Sequence, residues 1–299
     1  MKKNSGLLRL ALVLTAAALV LGGLCLYAGK AGASAKTEST EAAAVRADTG
    51  RRTVPIIMYH SILPDPSRQG DYVVSPSQLE SDILYLKAHG YQAVSLDSVI
   101  SFCEGGGELP EKPVVLTFDD GQLNNLRLAL PILKKQGFCG AFSIVGRYAE
   151  AACEDASPSV EYSYMDTDDI KDLLSSGIAE LVSHSYNMHE LGERRGTLQK
   201  STESYTDYRR ALLNDTTQAQ RFFKKQFGTE PAVYAYPYGL VCPAGRTVIA
   251  MLGFKATLGC EEKLNLLLRG STEGLTEMGR FNRPAGVSTE EFMRRVLPA

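Results

Sequence analysis

Short apolar runs alternate with longer amphipathic stretches along most of the chain, starting near residue 53. The short runs are rich in β-branched and aromatic residues and are bounded by polar residues or glycine, as buried strands are. We predict strands at residues 54–59, 92–95, 114–118, 140–145, 178–183, 232–236 and 255–258, and we allow for an eighth around 280–283.

Several stretches between these runs have the apolar period of an α-helix. We predict helices at residues 77–89, 166–176 and 205–227. The first begins at the polar Ser77, and the second begins with acidic residues, which the helix dipole favours. Each is followed by a glycine, which is typical of a helix end because glycine tolerates the left-handed conformation.

Strands that alternate with helices and read as nearly continuous apolar runs predict a parallel sheet covered by helices. Seven or eight such strands indicate an α/β fold, namely a distorted parallel (β/α) barrel. Because barrel domains commonly use roughly 250 residues, we assign a single catalytic domain to residues 53–299.

The N-terminal residues 1–29 predict a membrane-spanning anchor or a signal peptide. The uncharged apolar run at 10–29 follows basic residues, exceeds the roughly 7 to 15 residues of a cleavable signal core, and approaches the roughly 20 needed to span a bilayer. We therefore favour an anchor that places the domain outside the cytoplasmic membrane. Cleavage at the small residues 31–35 is the alternative, whereas Leu24 before Cys25 disfavours lipidation.

Residues 30–52 contain almost no large apolar side chain, so we predict a flexible linker. The net charge of −2 indicates no basic face for nucleic acid. The six cysteines show no close pair or metal-type spacing, which favours isolated small core side chains over a disulfide framework. Nothing in the sequence predicts the oligomeric state.

Polar residues follow several of the predicted strands. They are His60, Asp119, Asp120, His184, His189 and the segment 236–239. Barrel enzymes gather their catalytic groups at the carboxyl ends of the strands, so we expect these residues to share one site. For His60 alone the signal is weak.

Asp119 and Asp120 are adjacent, so on an extended backbone their side chains point to different sides. One carboxylate can bind a cation while the other acts on water. The competing interpretation is a turn, because Asp-Asp-Gly is common after strands.

His184 and His189 are five residues apart, which on a helix leaves them about 140° out of register, so a loop is needed to aim both at one ion. With Asp120 they would form a three-ligand site that leaves positions for water and substrate, as hydrolytic zinc requires. We expect a divalent cofactor, with zinc preferred, although this donor set also accepts cobalt and other ions. The competing interpretation is a pair of structural histidines.

The aromatic segment Tyr236-Pro237-Tyr238-Gly239 has two interpretations. It can be a packed turn. It can also form the wall of a groove for a sugar ring, with a backbone N–H aimed at a developing oxyanion.

Taken together, these motifs resemble the polysaccharide deacetylases that have a NodB-homology domain. The resemblance covers most of residues 53–299 and is most specific at 117–121 combined with 184–189, with support from 54–60 and 236–239. The histidine spacing and the early Met-Tyr-His strand look most like the branch that includes poly-N-acetylglucosamine deacetylases.

The resemblance implies an exported, metal-dependent enzyme that hydrolyses the N-acetyl amide of N-acetylglucosamine-containing glycans of a cell wall or exopolysaccharide. It implies that Asp119 is the general base and His60 the general acid, and that Tyr238 supplies a backbone oxyanion donor. The metal ligands that it implies are Asp120, His184 and His189.

The chain departs from the family pattern at the arginine that orients the base, since Ala235 and Tyr236 occupy the usual neighbourhood. Arg280 or Arg283 could replace it, or both could form surface or structural ion pairs. Gln122 stands where an aromatic residue often follows Asp-Asp-Gly. For Asp97, a helix cap is favoured over a catalytic contact.

Two other functions compete with the deacetylase. One is a noncatalytic glycan-binding or scaffold protein on a degenerate barrel, which the complete set of aspartates and histidines disfavours. The other is a glycosidase that uses Asp119 and Asp120 as its acid and base. Adjacent residues are awkward in that role, because the two carboxyls should flank a bond at a separation of roughly 5 to 9.5 Å.

Overall fold

The structure, a computed structural model, describes residues 50–298 of the 299-residue chain. The predicted anchor or signal segment at 1–29 and nearly all of the predicted linker at 30–52 lie outside the described residues. The first strand begins at Arg51, slightly before the predicted domain boundary at Thr53. Within residues 50–298, no helix combines the length and the apolar character that crossing a bilayer requires.

The described residues form twelve strands. They are β1 (Arg51–Val54), β2 (Ile56–Tyr59), β3 (Ser61–Ile62), β4 (Val73–Val74), β5 (Gln92–Ala93), β6 (Pro113–Phe118), β7 (Gly140–Ile144), β8 (Ala179–Ser183), β9 (Val233–Ala235), β10 (Ala256–Leu258), β11 (Asn265–Leu268) and β12 (Phe281–Asn282).

The same part of the chain forms eight α-helices. They are α1 (Pro76–Ala88), α2 (Leu96–Cys103), α3 (Leu130–Gln136), α4 (Gly146–Ala152), α5 (Thr167–Ser175), α6 (Tyr205–Phe227), α7 (Pro243–Met251) and α8 (Thr289–Val296). A π-helical turn at Asn125–Ala129 leads directly into α3, and short 3₁₀ turns lie at Pro66–Arg68, Pro237–Gly239 and Glu273–Leu275.

Eight strands form one parallel sheet, and they are the eight strands that the sequence predicts. The continuous order is β10-β9-β8-β7-β6-β2-β12, and β5 pairs with the start of β6. These seven strands curl into a half-barrel, which confirms the predicted parallel α/β architecture. Between the two end strands, the contact is an isolated bridge of Leu258 with Met278, just before β12.

The predicted strand at 54–59 is split by Pro55 into two strands that join different sheets. A proline has no N–H to donate to a ladder, so the chain can change partners there. Strand β1 pairs with β11 in an antiparallel ribbon, whereas β2 enters the main sheet between β6 and β12. The ribbon and the small β3–β4 pair are not predicted by the hydrophobic pattern.

The helix ends follow the expected capping chemistry, with one correction. Helix α1 begins at Pro76, and its N-cap is Ser75, whose hydroxyl accepts a hydrogen bond from the Gln78 N–H; the predicted start at Ser77 is therefore wrong. Ser75 rather than Ser77 is the cap, because Pro76 is favoured at the first helical position and the N-cap residue lies immediately before that position. Helix α6 has the predicted bounds and ends at Gly228, which has a φ of 74°.

The segment around Asp97 is a helix start, as predicted. Ser95 is the N-cap of α2 and accepts from the Ser98 N–H, while Asp97 lies in the first turn. Glu180 lies near the start of β8. Its carboxylate also accepts hydrogen bonds from this first turn, including one from the Asp97 N–H at 3.2 Å. Asp97 is thus accounted for by the helix terminus.

Alternate residues of the central strands pack into two different cores. On β6, Leu116 and Phe118 belong to the core between the sheet and the outer helices, whereas Val115 belongs to the core inside the curled sheet. Because side chains alternate along a strand, Thr117 and Asp119 continue the inner side. The inner side is therefore apolar at the start of the strand and polar where the strand ends.

The five cysteines at positions within the described residues are free, as predicted. Cys103 is buried and fits the expected core role, but Cys153 is exposed and the other three are partly exposed. The prediction that the cysteines are unpaired is therefore confirmed for these five, whereas the prediction that they are core side chains is wrong for most of them. The domain is held together without disulfides in this region.

Arg283 and Asp82 form a buried ion pair that joins the C-terminal part of the chain to α1. The Arg283 Nε and Nη2 atoms donate to the two Asp82 carboxylate oxygens at 2.7 and 3.0 Å, and both side chains have no exposed surface. Tyr59 and Thr289 also donate to Asp82, at 3.0 and 2.6 Å. Of the two arginine candidates, Arg283 is therefore a structural residue.

We expect Arg283→Met to lower the free energy of unfolding by about 3–5 kcal/mol, because the Asp82 carboxylate stays buried after its charged partner is removed. Urea unfolding of the two proteins measures this difference. Arg294→Met serves as the control, since the Arg294 side chain is 71% exposed in its pair with Glu290. Equal urea midpoints for Arg283→Met and the parent would contradict this account.

Candidate active site

The predicted polar residues meet at one rim of the half-barrel. Asp119 and Asp120 follow β6, His184 follows β8, and the segment at 236–239 follows β9. These strands belong to one parallel sheet, in which β7 separates β6 from β8, so their carboxyl ends lie along the same edge. The rim is thus built by the strand order rather than by any one loop.

Asp120, His184 and His189 lie together as a candidate metal centre. The Asp120 Oδ1 atom is 3.6 Å from His184 Nε2 and 3.0 Å from His189 Nε2, and one ligand atom from each residue lies within 4.8 Å of the others. Ligands held at 2.0–2.1 Å around a tetrahedral zinc ion are about 3.3 Å apart. The donor set and its spacing therefore fit a tetrahedral cation.

The backbone turns sharply at two of the loops that carry these ligands. Asp120 has a φ of 73° and is followed by Gly121 at 71°, while Ser185, directly after His184, has a φ of 72°. Non-glycine residues in the left-handed region are uncommon and concentrate at functional sites. The turn at Asp120 lets the Asp119 carboxylate enter the inner side of the sheet while the Asp120 carboxylate faces the histidines.

His184 is buried and oriented by the backbone. Its Nδ1 atom lies 2.7 Å from the Ala235 carbonyl oxygen, so Nδ1 carries the proton and the Nε2 lone pair faces Asp120. Burial lowers the pKa of His184 to about 4, although Asp119 opposes this shift. The ring is therefore neutral near neutral pH, which is the form that binds a cation.

His189 is enclosed by tyrosines. Its Nδ1 atom lies 3.2 Å from Tyr238 Oη and 3.4 Å from Tyr148 Oη. Tyr148 Oη also donates to the His189 carbonyl at 2.8 Å, and the Tyr238 ring lies 4.5 Å from the imidazole. These contacts hold Nε2, rather than Nδ1, toward Asp120.

Asp119 is bound by Arg280, which settles the choice between the two arginines. The Arg280 Nη1 atom donates to Asp119 Oδ1 at 2.8 Å, and its Nε atom donates to the Gly259 carbonyl at 2.8 Å. Both side chains are buried, so neither arginine candidate forms a surface pair. Burial alone would raise the pKa of Asp119, but the charge and hydrogen bond of Arg280, together with the nearby imidazoles of His184 and His60, hold the pKa well below its usual range.

Arg280→Met should reverse the pH dependence of the contribution that Asp119 makes to the free energy of unfolding. In the parent, the depressed pKa of Asp119 contributes stability that is present above the unfolded-state pKa of about 3.9 and is lost as the pH falls further. Without Arg280, burial raises the Asp119 pKa, so the variant is stabilised as the carboxyl is protonated. We expect a loss of about 3–5 kcal/mol near pH 7 that shrinks toward about pH 4.

Urea unfolding of Arg280→Met and the parent at several pH values tests this expectation. Arg246→Met is the matched control, because Arg246 pairs with Glu277 at 2.7 Å with its side chain 45% exposed. The control should show a small difference at every pH. A loss in Arg280→Met that stays the same from neutral to acid pH would contradict the assigned role of the pair.

His60 lies at the same rim, directly after β2. Its ring meets the Tyr72 ring edge at a centroid distance of 4.9 Å. The His60 Nδ1 atom is buried without a hydrogen-bond partner among residues 50–298. His60 is also close enough to Asp119 and Asp120 for its charge to lower the pKa of both carboxyls.

The structure divides the predicted aromatic segment into two parts. Tyr236 is 1% exposed and Pro237 is buried, so of the two interpretations the packed turn describes their side chains, and neither lines a groove. Tyr236 is buried because its ring packs against the Tyr234 ring at 5.4 Å. Tyr238 is 38% exposed, with a φ of 58°, and faces the opening.

The neighbouring Gly239 explains why this turn is tight. Gly239 has a φ of 66°, and a Cβ atom there would lie 2.7 Å from Cys260 Cβ and 2.9 Å from Cys260 N. Only glycine satisfies both the backbone conformation and the close approach. The turn that presents Tyr238 is therefore locked against the chain after β10.

Some residues of the site were not identified from the sequence. Tyr148 lies in α4 and Tyr164 in the following connection, and their ring centroids are 4.4 Å apart beside His189. Neither belongs to a motif, so the only available signal was the high tyrosine content of this segment. Gln122, which departs from the family pattern, pairs with Tyr164 in an isolated bridge.

Comparisons with known proteins agree with this architecture. The sequence profile of the polysaccharide deacetylase family matches residues 106–257. A poly-beta-1,6-N-acetyl-D-glucosamine N-deacetylase of Staphylococcus aureus is 28% identical over 195 residues, which are 64% of this chain and 63% of that protein. The Escherichia coli protein of the same name is 26% identical over 202 residues, which are 61% of this chain and 30% of that protein.

The aligned part of the chain thus spans less than two thirds of the length of these relatives. Among solved structures, a de-N-acetylase from Aggregatibacter actinomycetemcomitans superposes with a TM-score of 0.68 at 23% identity, covering 82% of this chain and 100% of that one. This superposition shows the shared fold. The profile match spans about half of the chain and includes Asp119, Asp120, His184, His189 and Tyr238. The chain belongs to the polysaccharide deacetylase family.

Proposed function

We propose that the protein is an exported, metal-dependent deacetylase that hydrolyses the N-acetyl amide of N-acetylglucosamine residues in an extracellular polysaccharide. The observation that carries this proposal is the placement of a buried carboxylate, Asp119, beside a separate cluster of one carboxylate and two imidazoles. The two relatives named as poly-beta-1,6-N-acetyl-D-glucosamine N-deacetylases support the substrate class.

Asp120, His184 and His189 would hold the divalent cation. When bound, such an ion polarises the acetyl carbonyl and lowers the pKa of a bound water toward about 7. The mixed oxygen and nitrogen donors favour zinc, and cobalt and other divalent ions suit them too. The three side chains come from loops whose geometry is already close to the spacing that these ions require.

Asp119 would accept the proton of the attacking water. Against the effect of burial, Arg280 and the imidazoles of His184 and His60 hold its pKa well below the usual range, so it is ionised near neutral pH. The bond from Arg280 to Oδ1 orients the carboxylate and leaves Oδ2 for the proton. A carboxylate that is always ionised and fixed in place contributes to catalysis mainly by its position.

The remaining steps need an oxyanion donor and an acid. The Tyr238 backbone N–H would donate to the oxyanion that forms on the acetyl carbonyl. His60, whose Nδ1 atom has no partner among the described residues, would protonate the departing sugar amine. The partly exposed Tyr238 ring provides an apolar face against which a sugar can pack.

The same geometry disfavours the glycosidase alternative. Asp119 is directed to Arg280 and Asp120 to the two histidines, so the two carboxylates do not face a common gap. A glycosidase needs its two carboxyl groups on either side of the scissile bond. The noncatalytic alternative is disfavoured because Asp119 and the candidate cation ligands Asp120, His184 and His189 lie together at one rim.

The proposal of export rests on the sequence rather than on the described residues. The apolar segment at 10–29 would carry the domain across the cytoplasmic membrane. The domain then either stays anchored through residues 1–29 or is released by cleavage near residues 31–35. An extracellular polymer as the substrate requires one of these two outcomes.

Acetate release from defined glycans tests the proposed function. We expect the full-length protein to release acetate from poly-β-1,6-N-acetylglucosamine without shortening the polymer, to lose this activity on chelation, and to regain it with zinc. Peptidoglycan, chitin oligomers and an O-acetylated sugar define the substrate range. Shortened glycans without acetate would support the glycosidase, and binding without any product would support the noncatalytic protein.

A further inference from the structure

The loop between His184 and His189 is held by a side chain from a distant helix. Asp215 on α6 accepts hydrogen bonds from two successive loop amides: Oδ1 accepts from the Tyr186 N–H at 3.0 Å, and Oδ2 accepts from the Asn187 N–H at 2.7 Å. The carboxylate is partly buried between the helix and the loop. Each of its oxygens therefore binds a different amide of the loop that carries the two imidazoles.

The opposite side of this loop is held by α4. The Gly146 and Arg147 N–H groups donate to the Ser185 and Tyr186 carbonyl oxygens at 3.2 and 2.8 Å. Two N–H groups of the loop thus point to α6, and two of its carbonyl groups point to α4. Within the loop, Ser185 Oγ accepts from the Met188 N–H at 3.0 Å and closes the turn.

The two histidines depend on this loop to different degrees. The His184 N–H donates to the Ile144 carbonyl oxygen at 3.0 Å, so His184 continues the ladder of the sheet. His189 lies five positions farther along and reaches Asp120 only if the intervening turn keeps its shape. The turn begins at Ser185, whose φ of 72° is a conformation that non-glycine residues keep only when their surroundings hold them in it.

We propose that Asp215 is a positioning residue for the metal site. Its carboxylate fixes the turn at 185–188 and so sets the distance of His189 Nε2 from Asp120 and His184. This inference rests on the proposed function, because it concerns the geometry in which the three ligands would hold a cation. Asp215 itself contacts no ligand side chain and takes no part in the chemistry.

A purely structural role makes a different prediction. If Asp215 only joins α6 to the loop, its loss lowers stability but leaves the affinity of the folded protein for a cation unchanged. If Asp215 positions His189, the folded variant that lacks this carboxylate binds a cation more weakly than the parent, because free energy is needed to restore the turn. Mutation of residues that orient metal ligands typically lowers the affinity for the metal roughly 10- to 100-fold.

Asp215→Asn is the most conservative test. An asparagine keeps the size of the side chain but has one acceptor oxygen, and its NH₂ group opposes one of the two loop N–H donors. We expect faster hydrogen exchange at the Tyr186 and Asn187 amides in the metal-free, full-length protein. We also expect the dissociation constant for cobalt(II), measured from its visible absorption, to rise roughly 10- to 100-fold.

Asp172→Asn is the matched control, since Asp172 is an exposed carboxylate on α5. It should leave both exchange and cobalt affinity at the parent's values. Asp215→Asn that exchanges and binds cobalt like the parent would overturn the proposal. Should it fail to fold, Asp215→Glu takes its place under the same criteria, and failure of both to fold would contradict a role confined to the loop.

The two readouts separate this proposal from the proposed function. A parent protein that binds no cobalt would overturn the metal site itself, while the exchange of the two amides would still report whether Asp215 holds the loop. A parent that binds cobalt, together with an Asp215→Asn variant of equal affinity, would leave the deacetylase proposal intact and reject the positioning role.

Discussion

Asp119→Asn is expected to lower kcat for acetate release by about 10²- to 10⁴-fold while leaving cation affinity unchanged, since positioned general bases contribute on that scale. The asparagine has nearly the same shape, and its amide oxygen can still accept the bond from Arg280 Nη1. It cannot take a proton from the attacking water. The three residues that would hold the cation are not altered.

Steady-state kinetics and cobalt(II) titration of the same Asp119→Asn preparation measure the two quantities. Because Asp119 is buried, the urea midpoint of the variant must be determined as well. A variant that folds, binds cobalt like the parent and has full activity would show that Asp119 is not the base. A variant that loses both activity and cobalt would place Asp119 among the ligands instead.

His184→Ala is expected to abolish tight cation binding and to lower kcat/KM by roughly 10³-fold, which corresponds to about 4 kcal/mol of transition-state stabilisation. Removal of His184 Nε2 leaves two of the three donors, and a hydrolytic zinc site typically uses three. Added zinc should not restore the activity of this variant at concentrations that saturate the parent.

His89→Ala is the matched control, because His89 is an exposed histidine whose Nδ1 lies 2.8 Å from the Tyr85 carbonyl at the end of α1. It should bind cobalt and release acetate like the parent. Retention of parental cobalt affinity in folded His184→Ala would remove His184 from the ligand set. Retention of activity without cation binding would contradict metal dependence altogether.

The main sheet could be predicted because its strands are buried on both faces and read as apolar runs. The β1–β11 ribbon could not, since its apolar residues do not follow burial: Leu266 is 65% exposed and Leu267 is 1% exposed. Hydrophobicity alone assigns these two leucines to the same environment. Pro55 marks the point where the chain leaves one sheet for the other, but a proline does not identify the new partner.

The candidate site could be predicted where its residues lie in compact motifs, as for Asp120 with His184 and His189. The choice between Arg280 and Arg283 could not be made, because both flank the same short strand and both are fully buried. Only the packing shows that one meets Asp119 and the other Asp82. The two interpretations of Tyr236 could not be separated for a similar reason, since the sequence does not show whether an aromatic side chain near a site faces the groove or the core.

The contribution of Asp215 illustrates what local patterns omit. It lies in the middle of α6, and its bonds reach Tyr186 and Asn187, nearly thirty residues away in the sequence. On the helix it looks like any surface aspartate. Residues that orient a site through the backbone of another loop have no sequence signature that a single chain can reveal.

The proposed function requires that one cation be held by Asp120, His184 and His189 while Asp119 remains outside its ligand shell. An anomalous-scattering map of crystals soaked with zinc tests it most directly. We expect one peak at about 2.0–2.2 Å from an Asp120 oxygen and from Nε2 of each histidine, with Asp119 still bound to Arg280. No peak at this position, or a peak coordinated by Asp119 in place of Asp120, would contradict the account.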